Sequence, residues 1–242
     1  MRILIISDIH ANLTALEAVL TDAGETEATW CLGDLIGYGP DPNQCIQRIR
    51  ELPNLRCLIG NHDSAALDQI DISSFNPEAQ QAVLWTQLQL TPANAEYLVK
   101  LPERIVTEQI TLVHGSPRYP IWEYLLDTRT AAQNFNHFET PFCFVGHSHL
   151  PVFFQKNSIH QGIELVVPET PSIVKMTPRA IFNPGSVGQP RDRDPRAAYA
   201  IYDPDTLSWE YRRIAYDIQS VQRRMTAANL PERHIQRLSS GW

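Results

Sequence analysis

RILIISDIH, residues 2–10, is the stretch of this sequence that decides its fold. Four consecutive aliphatic residues that lead to Asp8 and His10 are typical of a buried strand ending on ionisable side chains. Side chains two positions apart on an extended chain project to the same face, so Asp8 and His10 can approach one small volume. Open α/β sheets bind ligands at the edge where such strands end. The stretch therefore predicts an α/β protein with a charged site at one sheet edge.

Four further apolar runs end in the same way. Each run is short, is partly β-branched or aromatic, and is followed by a block that combines a glycine with at least one ionisable residue. The runs are ATWCL before Gly33-Asp34, LRCLI before Gly60-Asn61-His62-Asp63, ITLV before His114-Gly115, and PFCFV before Gly146-His147-Ser148-His149. Glycine lets the backbone turn sharply or come close to an ion. Five strand ends are therefore expected to meet at one site.

The blocks D-x-H, G-D, G-N-H-D, H and G-H-x-H, in this order, resemble those of the calcineurin-like metallophosphoesterase superfamily. The resemblance extends from Met1 through NPGSVGQPRD, residues 183–192, and is strongest with the compact one-domain prokaryotic branch. It implies a four-layer α/β/β/α sandwich of two mixed β-sheets flanked by helices. The β-rich runs after Pro151 agree, because strands from both halves of the chain suggest two packed sheets.

The resemblance also implies a site for two divalent metal ions. One metal would be held by Asp8, His10, Asp34 and His149, and the second by Asp34, Asn61, His114 and His147. Asp34 would bridge the two ions, and His62 would be the catalytic acid. Mixed imidazole, carboxylate and amide ligands suit Mn²⁺, which is the expected metal, with Fe or Zn²⁺ as alternatives.

These assignments predict a metal-dependent phosphoester hydrolase. A hydroxide that bridges the metals would attack phosphorus, and His62 would protonate the leaving oxygen. The expected substrate is a small organic phosphate or nucleotide, either a monoester or a diester. Two divalent ions, two carboxylates and one hydroxide sum to a charge of about +1. The site is therefore expected to attract an anion although the chain carries a net charge of −7.

Several other functions remain open. Dinucleoside tetraphosphate hydrolases and serine/threonine protein phosphatases carry G-D-x-x-D/A-R-G, whereas Gly37 and Tyr38 stand here in place of the acid or alanine and the arginine. This departure disfavours both. A non-catalytic metal-binding scaffold is disfavoured because every ligand position is filled. The acidic net charge argues against a nuclease and against nonspecific nucleic-acid binding, which need a basic surface.

The sequence gives a few candidate substrate contacts besides Asn61 and His62. Within residues 183–192, Ser186 or Arg191 is expected near the phosphate, since a guanidinium binds phosphate bidentately. Gly185 in the same loop, and Gly188 after it, can serve turns with positive φ.

Aromatic residues supply the other candidate contacts. Tyr38, Tyr119, Trp122 and Tyr124 could stack on a base, although loop aromatics more often pack locally. Among these four residues, Tyr38 is predicted to contact the substrate.

The chain is expected to form one domain over residues 1–242, with a helical insertion at about 64–103 and a C-terminal helical tail at about 217–242. The insertion is expected to shape the substrate pocket. The tail is expected to pack on the sandwich or on a second subunit, which leaves a homo-oligomer open. The four scattered cysteines are interpreted as reduced core thiols.

No apolar run approaches the roughly 20 residues that span a bilayer, and the first strand runs directly into Asp8 instead of a signal sequence. A cytoplasmic enzyme without a membrane partner is therefore expected. Three histidines fall outside the blocks, and we expect them at the surface or in loops. They are His137, His160 and His234.

Overall fold

The structure is a computed structural model that describes residues 1–157 and 162–242. Its strands are β1 (Ile3–Ile6), β2 (Ala28–Cys31), β3 (Arg56–Cys57), β4 (Arg104–Val106), β5 (Ile110–Val113), β6 (Phe142–Phe144), β7 (Pro151–Lys156), β8 (Ile163–Val166), β9 (Ser172–Lys175), β10 (Ala180–Pro184), β11 (Ala197–Asp203) and β12 (Ser208–Ile214). Its α-helices are α1 (Leu13–Ala23), α2 (Pro42–Arg50), α3 (Asn61–Ala66), α4 (Pro77–Gln89), α5 (Pro92–Val99), α6 (Thr128–Asn134), α7 (Ile218–Ala227) and α8 (Glu232–Ser240).

The strands form two mixed sheets of six strands each. The first sheet has the order β3-β2-β1-β11-β12-β9, and the second has the order β4-β5-β6-β10-β7-β8. In the first sheet β1 pairs parallel to β2 and antiparallel to β11. In the second sheet β10 pairs parallel to β6 and antiparallel to β7. The predicted fold class, two mixed sheets flanked by helices, is confirmed.

Alternation along β1 produces the layers. Ile3 and Ile5 belong to the core between the sheets, together with large rings such as Phe144 and Trp209. Leu4 and Ile6 point the other way, into the core beneath the helices α1 and α2. A strand buried on both faces reads as a continuous apolar run, which is why ILII shows no polar alternation.

Helix α1 follows β1 as its sequence predicts. The side chain of Asn12 accepts a hydrogen bond from the Ala15 backbone N–H at 3.1 Å, which caps the helix. Leu16 and Val19, at helical spacing, are buried against the sheet. The cap fixes where the chain turns after the first strand, and so places His10 at the sheet edge.

The tail helices α7 and α8 pack against each other and against the body of the molecule. Their apolar side chains form a cluster that also contacts Trp85 of α4. Arg224 donates a hydrogen bond to Asp41 at 2.8 Å, at the start of α2. The expected position of His234 at the surface is wrong. Its side chain is 2% exposed, because the apolar face of α8 carries it onto the ring of Tyr38, with the ring centroids 4.5 Å apart.

The remaining predictions concern two histidines, the cysteines and a membrane span. His137 is exposed, as expected, and His160 lies outside the described residues. All four cysteines are buried free thiols, as predicted. Among residues 1–157 and 162–242, no helix has the length and apolar character needed to cross a bilayer.

Candidate active site

The ends of β1, β2, β3, β5 and β6 meet at one edge shared by the two sheets, and they bring together the seven predicted ligand residues. Two groups of side chains place their ligating atoms within 4.8 Å of one another: Asp8, His10 and His149, and Asp34, His114 and His147. Asn61 joins the second group, because its Oδ1 lies 3.2 Å from His114 Nε2. Asp8, Asp34 and the ligand histidines are at most 3% exposed.

The backbone turns abruptly at these residues. Asp8, His10, Asp34, His147 and His149 all adopt left-handed conformations, with φ between 48° and 63°. Residues other than glycine rarely adopt this backbone region. Each residue that does so raises the free energy of the folded state by about 1–3 kcal/mol. This backbone conformation directs each side chain into the site at the point where its strand ends.

Backbone carbonyls hold the four histidines predicted as ligands in a fixed orientation. In each ring one nitrogen faces a carbonyl oxygen, which can only accept a hydrogen bond, so that nitrogen carries the proton. The pairs are His10 Nδ1 with Ile36 O at 3.2 Å, His114 Nδ1 with Leu32 O at 2.8 Å, His149 Nδ1 with Gln189 O at 2.6 Å, and His147 Nε2 with Trp122 O at 3.1 Å. In His10, His147 and His149, whose rings are neutral, the other nitrogen is left with a free lone pair. This arrangement is typical of metal-ligating histidines.

Both carboxylates keep one oxygen satisfied and one oxygen free. Asp8 Oδ2 accepts a hydrogen bond from the His147 backbone N–H at 3.1 Å, and Asp34 Oδ1 accepts one from the His62 backbone N–H at 2.9 Å. Among the described residues, Asp8 Oδ1 and Asp34 Oδ2 are buried and have no hydrogen-bond partner. Buried charged oxygens without a partner are costly, which indicates that they have another role.

The free atoms lie at the distances that a cation would require. Asp8 Oδ1 is 3.3 Å from His149 Nε2, and His10 Nε2 is 3.1 Å from His149 Nε2. Two imidazole lone pairs that face each other at this distance repel unless a cation or a proton lies between them. Metal–ligand bonds of about 2.1 Å place neighbouring ligand atoms about 3.0–3.4 Å apart. The donor set therefore fits a divalent metal.

Asp34 connects the two groups. Its Oδ2 lies 3.3 Å from His114 Nε2 in one group and 3.6 Å from His10 Nε2 in the other. One carboxylate oxygen thus faces the ligands of both groups, as the bridging role requires.

Close backbone approach makes two glycines part of the site. A methyl group at Gly60 would clash with Asp34 Oδ1, and one at Gly146 would clash with Ser7 Oγ and lie 3.0 Å from Asp8 Oδ2. These positions lack a side chain because the carboxylates occupy that space, which agrees with the expectation that glycines let the backbone come close.

We expect Gly60→Ala to displace Asp34 from the site. The variant should bind Mn²⁺ at least about tenfold more weakly and lose about 1–3 kcal/mol of unfolding free energy through overpacking. Calorimetric titration and chemical unfolding would measure both. Gly162→Ala is the matched control, because a methyl group there meets no atom of residues 1–157 and 162–242 within 4 Å. Equal Mn²⁺ affinity in the two variants would contradict this account of Gly60.

Burial and mutual charge set the protonation of the metal-free site. Burial raises the pKa of Asp8 to about 7. Burial alone would lower the pKa of His114, but the Asp34 carboxylate more than offsets it and raises that pKa to about 9. Burial holds the pKa values of His10, His147 and His149 well below their usual range, so these rings are neutral.

Metal binding should therefore release protons, and the number should fall as pH rises. At pH 6 both Asp8 and His114 hold a proton that a metal must displace, whereas near pH 10 neither does. We expect Mn²⁺ affinity to increase from pH 6 to pH 9, and the number of protons released per chain to drop by about two between pH 6 and pH 10. Titration calorimetry in buffers of different ionisation enthalpy would measure this. Proton release that is independent of pH would contradict it.

His62 lies beside the two groups without belonging to either. Its ring packs between Tyr38 and Phe75, at centroid distances of 4.3 and 5.1 Å, and its Nδ1 has no partner among the described residues. Burial lowers its pKa to about 4, with the nearby Asp34 carboxylate acting against that effect. The neighbouring Asp63 does not orient this ring. Asp63 instead accepts a hydrogen bond from the Gly60 N–H at 2.9 Å, as part of the cap of α3.

Arg191 brings a positive charge to the site. Its guanidinium donates a hydrogen bond to Gln189 Oε1 at 2.8 Å and lies 5.8 Å from the centroid of the Tyr38 ring. Burial lowers the pKa of Arg191, but the nearby Tyr38, Tyr124 and Asp8 more than offset this and raise it, so the group stays charged.

The loop that precedes Arg191 has a structural part in the site. Ser186 is fully buried, donates a hydrogen bond to Asp8 O at 2.8 Å and accepts one from Gln189 N–H. The structure thus places Ser186 behind Asp8, apart from the metal-facing atoms. Gly185 has the predicted positive φ, +86°, but the same prediction for Gly188 is wrong, because that glycine instead allows close contact with Ile9 O.

A cavity opens beside His62. It has a volume of about 320 Å³ and is lined on one side by Tyr38, Asn61, His62 and His147. The other walls come from Ser74, Phe75, Asn76 and Ala79, around the start of α4, and from Trp122 and Tyr124 in the loop after His114. The sequence did not predict that Phe75 lines this cavity, or that backbone carbonyls orient the histidines. No motif marks a wall whose members meet only in the folded chain.

Two adjoining groups of buried carboxylate and imidazole ligands, joined by a shared aspartate and open to a cavity, define the class of metal-dependent hydrolases with a dinuclear centre. Comparison with known proteins agrees with this class. Residues 1–207 match the family model of the calcineurin-like phosphoesterase superfamily domain. The chain belongs to this superfamily, and it is a metal-dependent phosphoesterase.

Three similar proteins cover nearly all of the chain. The crystal structure of a metallophosphoesterase from Sphaerobacter thermophilus is 46% identical, with a TM-score of 0.92, and covers 100% of this chain and 99% of that one. An uncharacterized protein of Methanocaldococcus jannaschii is 36% identical over 246 residues, 99% of this chain and 98% of the relative. Phosphodiesterase YfcE of Escherichia coli strain K12 is 27% identical over 219 residues, 86% of this chain and 90% of the relative.

Proposed function

We propose that this protein hydrolyses the phosphoester bond of a small organic phosphate or nucleotide, with two divalent metal ions at the site and His62 as the general acid. Asp8, His10, Asp34 and His149 would hold one ion, and Asp34, Asn61, His114 and His147 the other. Mn²⁺ suits this mixed ligand set, with Fe and Zn²⁺ as alternatives. The phosphodiesterase named among the relatives supports this reaction class.

One observation carries the proposal. Asp8 Oδ1 and Asp34 Oδ2 are buried without partners, and each faces an imidazole nitrogen at 3.3 Å whose ring is oriented by a backbone carbonyl. Without cations Asp8 Oδ1 and the facing nitrogen atoms of His10 and His149 lack partners in a buried place, which is unfavourable. Asp34 Oδ2 is then balanced only by a proton on His114, whose pKa the Asp34 carboxylate raises to about 9. When bound, a metal pair lowers the pKa of water to near neutrality and neutralises charge on the phosphoryl group.

His62 is placed to deliver a proton to the leaving oxygen. It lines the cavity together with Asn61 and His147, yet it does not share in either ligand group. The pKa of His62, about 4 because of burial, keeps the ring neutral in the ligand-free protein. A phosphate anion in the cavity favours the protonated ring, since opposite charges at close range raise a histidine pKa. Substrate binding would thus supply the acid form where it is needed.

Arg191 and Tyr38 would assist at the phosphate. Arg191 is the charged group in contact with the Tyr38 ring, and its electrostatic influence reaches Asp8, His10 and His62. A guanidinium can offer two parallel hydrogen bonds to a phosphate, which a lysine cannot match. Ser186 lies behind Asp8, and its role would be to hold the Asp8 backbone in place instead of contacting the substrate.

The test is hydrolysis of p-nitrophenyl phosphate and bis(p-nitrophenyl) phosphate with added Mn²⁺, with metal-stripped protein as the control. We expect turnover that disappears on stripping and returns with Mn²⁺. The ratio of the two rates separates monoesterase from diesterase action, and adding a dinucleoside tetraphosphate tests that alternative. A folded, Mn²⁺-loaded protein that cleaves none of these esters would contradict the proposal and would favour a scaffold.

A further inference from the structure

The cavity beside the metal ligands is built from aromatic rings. Six of its ten lining residues carry a ring: Tyr38, His62, Phe75, Trp122, Tyr124 and His147. The other four are neutral, so the lining contains no aspartate, glutamate, lysine or arginine. This composition contrasts with the chain as a whole, in which 19% of residues are charged.

The rings form continuous walls. Phe75 and Trp122 meet edge to face, at a centroid distance of 5.9 Å and an interplanar angle of 83°. Tyr124 stacks on the ligand histidine His147 at 3.9 Å, so this wall reaches the metal ligands directly. Phe75 also contacts His62 at 5.1 Å. The cavity therefore runs from the expected phosphate position along aromatic surfaces.

Two of these rings are left open to solvent. Trp122 is 39% exposed and Tyr124 is 45% exposed, although apolar rings gain free energy when a ligand covers them. The cavity volume of about 320 Å³ exceeds what a phosphate alone would fill, and lies within the range of small-molecule sites. The walls thus have both room and unburied apolar surface for a flat group.

We infer that the substrate carries an uncharged flat aromatic group next to the scissile phosphate, and that Phe75 and Trp122 bind this group. The inference rests on the proposed function and specifies its substrate class. Aromatic rings pair favourably in stacked or edge-to-face geometry, and stacking accepts any flat ring, whether an aryl group or a nucleobase.

The first test compares two inhibitors that have no leaving group. Phenylphosphonate and cyclohexylphosphonate share charge and approximate size, and differ in whether the ring is flat and aromatic. Binding to Mn²⁺-loaded protein, measured by calorimetry, should favour phenylphosphonate by about fivefold or more. Equal affinities would overturn the inference, whatever the enzyme hydrolyses.

Variants locate the effect. Trp122→Leu and Phe75→Leu should each reduce the preference for phenylphosphonate to about twofold or less, while both proteins retain their metals. Trp122 orients His147 through its backbone carbonyl, which the substitution leaves in place. Tyr119→Leu is the matched control, because Tyr119 belongs to the same loop, is 57% exposed and does not line the cavity. A preference that survives in both wall variants would overturn the assignment of these residues.

A second comparison distinguishes the two sources of the ring. Adenosine 5′-monophosphate and ribose 5-phosphate release the same kind of alcohol, so their kcat/KM ratio reports the base alone. A higher kcat/KM for the nucleotide that Trp122→Leu abolishes assigns the cavity to a nucleobase. A phenyl preference without a base effect assigns it to an aryl ester. Metal-dependent cleavage without either preference overturns the aromatic cavity and leaves the phosphoesterase proposal intact.

Discussion

Asp34→Asn is expected to lower kcat by at least about 10³-fold for any phosphoester. The reason is that Asp34 Oδ2 lies within 3.6 Å of imidazole nitrogens from both ligand groups. An asparagine keeps the shape, but it removes the negative charge and can present an N–H₂ group where a ligand oxygen is needed. The variant should bind fewer metal ions per chain, which elemental analysis after dialysis would measure.

Loss of metal must be separated from loss of fold. Because a ligand that binds only the folded state raises its stability, Mn²⁺ should raise the Tm of the original protein and barely change that of Asp34→Asn. Asp205→Asn is the matched control, since the side chain of Asp205 is 72% exposed and pairs with the N-terminus far from the site. Full activity of Asp34→Asn with the original metal content would refute the bridging role.

His62→Gln should lower kcat by about 10²–10⁴-fold for an ester with an alkyl leaving group, yet keep the metal content unchanged. The p-nitrophenyl ester should lose much less, because p-nitrophenolate leaves without a proton. A glutamine preserves a polar side chain of similar reach but cannot donate a proton to a departing alkoxide. The measurement is the ratio of the two losses, determined with the same Mn²⁺-loaded protein.

The control for this substitution is His137→Gln, at an exposed position. It should leave both rates unchanged. If His62→Gln lost the same factor on both esters, His62 would be a binding or positioning residue instead of the acid. If the alkyl ester were cleaved at the original rate, the ring would have no part in the reaction.

The convergence of the ligand residues could be predicted because each one directly follows an apolar run. Asp8 and His114 follow strands of different sheets, β1 and β5, and the two sheets pack so that these strand ends share one edge. The same runs and the β-rich second half suggested two packed sheets, and the resemblance to the metallophosphoesterase superfamily implied that the sheets are mixed. These features are local in sequence, so periodicity and turn residues reveal them.

The features that orient the site could not be predicted in this way. The carbonyl of Gln189 holds His149 across 40 positions of the chain, and the carbonyl of Trp122 holds His147 across 25. Backbone groups carry no residue type that would mark them. The left-handed backbone at Asp8 and His149 is equally hidden, because tertiary packing imposes it against local preference.

The error at His234 has a different origin. His234 lies four positions before Leu238 on α8, and therefore on the same buried face. The amphipathic pattern was present in the sequence, but a histidine outside the metal blocks was assigned by exclusion alone. Phe75 was missed for the opposite reason, since only the three-dimensional meeting of residues 74–79 with the loop after His114 makes it part of a wall.

The central claim, a pair of metal ions held by these side chains, is tested most directly by anomalous diffraction from crystals of the Mn²⁺-loaded protein. The account predicts two strong anomalous peaks at the shared edge of the sheets, with Asp34 in contact with both. Asp8, His10 and His149 should surround one peak, and Asn61, His114 and His147 the other. A single peak, or peaks bound elsewhere on the chain while this site stays without one, would contradict it.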